Sequence, residues 1–152
     1  MNDLYDQLRE SHQRQRHLLL QLVRSSARRP QRRRELLREL HIELAAHAAA
    51  EERFLYAPIL MDDRGLDASR HALSEHHEID EQVETLQSLE PDGAAWLIHA
   101  KALSHQVRHH LKEEERRFFQ VSGKILGDAQ KRRLATRYQR DYTRMREQVA
   151  AG

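Results

Sequence analysis

The sequence predicts an all-α protein: an up-down-up-down four-helix bundle with an additional C-terminal helix. Three observations predict it. Charged residues make up 33% of the chain and apolar ones 39%, with only five Gly, three Pro and three Phe, a usage rich in Leu, Ala, Glu and Arg that favours helices. Apolar residues recur every three or four positions along long stretches, the period of a helix with one buried face. Short breaks bearing Pro, Gly or Ser separate these stretches, and short connections make neighbouring helices antiparallel. At 152 residues the chain fits a single domain, since domains commonly run to roughly 100–200 residues.

The first helix, about residues 2–25, carries Leu4, Leu8, Leu18, Leu19, Leu22 and Val23 and breaks at Ser25-Ser26-Ala27-Arg28-Arg29-Pro30. The second, about 31–57, carries Leu36, Leu37, Leu40, Leu44, Phe54 and Leu55 and should end near Pro58, because proline disfavours helical geometry in the residue before it. Beyond Met61-Asp62-Asp63-Arg64-Gly65, a third helix of about 67–89 runs through Ala72, Leu73, Ile79, Val83, Leu86 and Leu89 to Pro91-Asp92-Gly93. A fourth, about 93–120, presents Trp96, Leu97, Ala100, Leu103, Val107, Leu111 and Phe118, which read as core. These four make the bundle, about 2–120. A last helix of about 129–149, with Asp128 as its N-cap, packs outside as a cap.

The absence of cysteine excludes disulfides, thiolate metal sites and cysteine nucleophiles. Met1 leads straight into an amphipathic stretch and no apolar run approaches ~18 residues, so a soluble, cytoplasmic protein with no membrane partner is expected. The net charge is +2, but arginine clusters at Arg28, Arg29, Arg32, Arg33 and Arg34. This run reads as a solvated loop and first helical turn, or as a local anion-binding patch.

Eleven histidines raise the question of which face the core, and the helical period answers it. His12 lies on the stripe of Leu8 and Leu19, whereas His17 sides with Gln13, Gln21 and Arg24. In the second helix His47 and Glu51 continue the line of Leu40, Leu44 and Leu55. His76 lies on the stripe of Ala72, Ile79 and Val83, and His77 on the wet side. The fourth helix repeats the second as Leu103, Val107, His110, Glu114, Phe118, with His105 and His109 outward. A lone ionised glutamate is almost never fully buried, so Glu51 and Glu114 on core stripes demand a cation. Each lies one turn beyond a histidine, and His-x-x-x-Glu pairs projecting inward are how bundles build di-metal carboxylate sites. The bland alternative for any one of these histidines is a hydrogen-bonded core residue.

An internal duplication supports the metal reading. The segment from His47 to Tyr56 aligns with that from His110 to Phe119, sharing His, both Glu and Arg at an offset of 63, and His12 and His76 are 64 apart. Each hairpin thus supplies one leading His and one His-x-x-x-Glu pair, facing the other across a pseudo-two-fold axis. Gln15 and Tyr56 are candidates for outer donors that orient ligands, though both also read as ordinary bundle residues.

With these residues the chain resembles the hemerythrin-like family, whose members carry HHE cation-binding repeats in a four-helix bundle. The resemblance covers roughly residues 3–120 and is specific from His47 through Glu51 and Glu52 to Tyr56, Pro58 and Leu60, in Glu75-His76-His77-Glu78-Ile79, and from His110 to Phe119. It implies two non-haem iron ions, other divalent metals being possible, with His12 and His47 on one, His76 and His110 on the other, and Glu51 and Glu114 bridging. Oxygen-carrying members have a further histidine where this chain has Asp80, and space the helix-four pair as His-x-x-x-x-Asp, a spacing that His109 to Glu114 would recover. Simple reversible oxygen carriage is therefore not expected, since an added carboxylate stabilises ferric iron and an open position lets a small ligand react.

Three functions follow as expectations. The first is a di-iron protein that senses or reacts with O2, peroxide or NO, or buffers iron. The second is a di-iron enzyme with peroxide-decomposing or oxidase activity, for which the sequence displays no substrate pocket. The third is a metal-switched module for anions or nucleic acid, without any accompanying nucleic-acid motif. A zinc peptidase is disfavoured, because His77-Glu78 is followed by Glu81 and not by a second His.

Overall fold

Five helical rods, and no strand among the described residues, carry the apolar stripes. The computed structural model describes residues 3–152, so position 2, where the sequence begins its first helix, lies outside them. Helix α1 spans Leu4–Arg24, started by Asp3 and Asp6, which bond each other's backbone N–H in a capping box. Helix α2 spans Pro30–Glu51, with proline in the first turn, where its missing N–H costs nothing. The rod does not end before Pro58. It continues through a π-helical turn, Glu52–Tyr56, into a short α3, Ala57–Leu60. The wide turn restarts the helix so that Pro58 again falls in a first turn, which is why proline did not stop it.

A 3-10 turn, Asp63–Gly65, leads into α4, Leu66–Ser88. Glycine is required there, since a Cβ on Gly65 would lie 2.6 Å from the carbonyl oxygen of Ile59. The fourth rod runs as α5, Ala94–Glu113, a second π-helical turn, Glu114–Phe118, and α6, Phe119–Ile125, five residues beyond its expected end. The last is α7, Asp128–Ala151. Its N-cap is Gly127, whose N–H is taken by the Gln130 side chain, so Asp128 is the first helical residue and not the cap.

Around the bundle α1 packs on α2 and α5, and α4 on α2 and α5, while α7 lies along α2 and α1. Two apolar clusters fill the interior. One holds Leu4, Leu8, Leu55, Ile59, Ala72 and Phe118 together with Leu134, Tyr138 and Tyr142 of α7. The other holds Leu19, Leu40, Leu44, Ile79, Val107 and Trp96. Each of the four long rods passes from one cluster to the other at its inward histidine: His12 between Leu8 and Leu19, His47 between Leu44 and Ala50, His76 between Ala72 and Ile79, His110 between Val107 and Phe118. The polar residues sit at a waist between two greasy halves. No helix among the described residues is long and apolar enough to cross a membrane.

Candidate metal centre

All six side chains singled out from the sequence are buried at this waist, His12 and Glu51 completely and none more than 6% exposed. They fall into two groups that share the carboxylates: His12, His47, Glu51 and Glu114 in one, and His76, His110, Glu51 and Glu114 in the other, with ligand-type atoms within 4.8 Å of one another in each. His109, His105, His77 and His17 are exposed. Asp80 is exposed too, lining the edge of the site and belonging to neither group.

What orients the imidazoles is an outer ring that the sequence reading had not assigned. His12 Nδ1 is 2.6 Å from Glu115, His76 Nδ1 is 2.8 Å from Glu52, His110 Nδ1 is 2.9 Å from Glu75, and His47 Nδ1 is 2.8 Å from the Tyr138 hydroxyl. A ring that donates its Nδ1–H outward keeps the Nε2 lone pair for the centre, the arrangement that fixes tautomer and basicity in metal-ligating histidines. Glu52 and Glu115 were visible in the duplication, each directly following a core glutamate. Tyr138 was not, because α7 lies outside the repeat.

The π-helical turns place a further group. An α-helix would set residue 55 beneath Glu51, whereas the extra residue of the wide turn brings Tyr56 there. Its hydroxyl, with a single proton to donate, lies against both carboxylates, 2.8 Å from Glu51 and in contact with Glu114, and is 3.3 Å from His76 Nε2. The duplicate position is Phe119, stacked on His12 with ring centroids 5.9 Å apart. One half of the site therefore offers a phenol where the other offers a bare ring. Gln15, also buried, donates to Ser11 and lines a cavity of about 20 Å³ bounded by Leu44, His47, His76, Asp80 and His110, room for one water-sized molecule.

The electrostatics call for cations. Burial, then the charge of Glu51, pushes the Glu114 carboxyl up, while Glu51 is held well below the carboxylate range despite its burial because His47, Glu114 and His76 lie against it. Two carboxylates this close cannot both ionise cheaply without positive charge between them. Burial lowers the imidazoles of His12 and His76, but the carboxylates outweigh it and leave them at about 9 and about 10. Even so, His12 Nε2, His47 Nε2, Glu51 Oε2 and Glu114 Oε1 have no hydrogen-bond partner. Four orphaned buried atoms, two imidazole nitrogens and two carboxylate oxygens, are an N/O donor set suited to a first-row metal.

A pocket of about 280 Å³, which the sequence does not display, lies beside His110 and Glu114.

The sequence profile of the family described as hemerythrin HHE cation-binding domain matches residues 3–121. A crystal structure of a hemerythrin HHE cation-binding-domain protein from Mycobacterium kansasii superimposes with a TM-score of 0.86 at 20% identity, covering 97% of this chain and 90% of that one. A protein of Nostoc sp. (strain PCC 7120) named DNA nickase is 23% identical over 147 residues, covering 97% of this chain and 41% of the relative, so the chain spans about two fifths of that protein's length.

Proposed function

Because the chain belongs to the hemerythrin HHE cation-binding-domain family, we propose that it is a non-haem di-iron protein that senses or reacts with O2, peroxide or NO, or buffers iron. His12 and His47 would hold one iron, His76 and His110 the other, and Glu51 and Glu114 would bridge them. One observation carries the reading: four buried imidazoles have their outer nitrogens engaged, so that their inner ones converge with two buried carboxylates.

A bound iron pair supplies two adjacent redox-active Lewis acids. The chain's own residues prepare the ground for it. The apolar clusters on either side exclude bulk water, and the cavity beside Gln15 and Asp80 leaves space for a single small ligand. Tyr56 keeps a proton against both carboxylates, because burial and then the charges of Glu114 and Glu51 raise its pKa. The outer partners differ between the halves, Glu115 and Tyr138 on one, Glu52 and Glu75 on the other. With more anionic partners, the His76/His110 half favours ferric iron more strongly.

Within the arginine run behind the third expectation, Arg28, Arg29, Arg32 and Arg34 are exposed and only Arg33 is buried. That residue is 3% exposed, donates to the carbonyls of Pro91 and Ser25 and covers Trp96. It ties the α1–α2 loop to the end of the bundle and cannot present its charge to DNA.

Protein produced in iron-supplied cells should contain about two irons per chain and absorb in the near ultraviolet as a ferric pair. Sustained peroxide loss, abolished in His47→Ala, would mark the enzymatic version. A chain that takes up no iron, with stability unchanged by iron supply, would refute the reading.

A further inference from the structure

The pseudo-two-fold repeat predicts equal packing around both halves of the site, and besides Tyr56 against Phe119 and the unlike outer partners the halves differ at two apolar positions. On α1, Leu4 and Leu8 are fully buried in the apolar cluster that also holds Ala46, Ala50 and Leu55. Their counterparts on α4, at the offset of 64 that relates His12 to His76, are Ala68 and Ala72. Where leucine side chains would reach, the pocket of about 280 Å³ opens instead, with His110 and Glu114 at its floor and Phe118 forming a wall. Among the described residues α7 does not cover it, since it packs against α2 and α1.

Resting on the di-iron reading above, we infer that this pocket binds a small uncharged organic molecule bearing a hydroxyl or hydroperoxyl oxygen, which reaches the metal pair from the α4–α5 side only. Size argues for an organic body. The volume of about 280 Å³ is about fourteen times the 20 Å³ of the single-water cavity beside Gln15, far more than a diatomic or hydrogen peroxide needs, and just below the roughly 300 Å³ at which small-molecule sites begin. Ala68, Ala72 and Phe118 supply apolar surface for that body. Charge argues for a neutral one. Leaving aside Glu114, which would be spent on the metals, Asp67, Glu75 and Glu113 outnumber Arg117 around the pocket, with His71 beside Glu75, so an anion is repelled at the mouth, and a cation would meet the metal ions at the floor. Only a lone-pair donor at the inner end is then complementary, which is the hydroxyl or hydroperoxyl oxygen.

Phenol, which enters the pocket neutral and gives up its proton to buffer as its oxygen coordinates, is the probe and azide the small control, added to iron-loaded protein and followed by the charge-transfer absorption each gives with ferric iron. In Ala68→Leu/Ala72→Leu, phenol should bind at least tenfold more weakly, with azide affinity and iron content retained. Ala72→Val, a smaller filling, should show an intermediate loss. Equal phenol affinity in the wild type and the filled variants, or no phenol binding to the wild type, overturns the inference. Should the chain take up no iron, phenol titrated into the metal-free protein is followed at the Ala68 and Ala72 methyl resonances. Shifts that Ala72→Val diminishes then uphold the pocket while the di-iron reading fails, and absent shifts overturn the pocket as well.

Discussion

Replacing Tyr138 by phenylalanine removes one oxygen and little else. The ring stays in place, 1% exposed and edge-on to His47 with centroids 5.9 Å apart. What disappears is the hydrogen-bond partner of His47 Nδ1 among the described residues, 2.8 Å away, and His47 is itself 3% exposed, so water cannot take over cheaply. Leaving a buried donor unpaired costs about 1–3 kcal/mol. Part of that cost appears as freedom of the ring to turn or change tautomer, and removing an outer partner of a metal-bound histidine typically weakens metal binding about 10–100-fold. At about 1.4 kcal/mol per tenfold the two figures agree. Because Tyr138 serves the His12/His47 position alone, competition with a chelator should resolve two steps in Tyr138→Phe, one weakened by at least tenfold and one near wild type. A variant that holds both metals as tightly as the wild type and unfolds at the same temperature would refute the claim that α7 orients the site.

Exchanging Glu51 for glutamine should lower iron from about two to at most one per chain by metal analysis, since a neutral amide is a poor bridge. In metal-free protein, His12 and His76 at about 9 and about 10 lie above the unfolded value of about 6.5. Their ion pairs therefore stabilise fully below about pH 6.5, and that stability is lost as pH rises through 9 and 10, which denaturant titrations across the window would show. Metal binding has the opposite dependence: at pH 7.5 both imidazolium protons must leave, so calorimetry in buffers of different ionisation enthalpy should report about two protons released. Tyr56→Phe takes the only phenol from between Glu51 and Glu114 and should destabilise metal-free protein by about 1–3 kcal/mol, a difference that shrinks once iron is bound. Arg33→Ala should cost about 3 kcal/mol, read as a fall in Tm, without affecting metal content.

The helical period and the repeat were legible in one dimension. Both depend on neighbours three or four residues apart, so they specified the rods, their inward faces and the six residues His12, His47, Glu51, His76, His110 and Glu114, including His110 in preference to His109. Buried glutamate on a core stripe already implied a counter-charge. Three things depended on the third dimension. The π-helical turns break the 3.6-residue phase just past Glu51 and at Glu114, so the choice between Tyr56 as an outer donor and as an ordinary bundle residue, both open in the sequence, was made by the wide turn. Tyr138 meets His47 across 91 residues of chain, a contact fixed by how α7 docks and by no local pattern. The pocket exists because two alanines stand where the repeat has leucines, and empty space is a property of facing surfaces, which no single helix records.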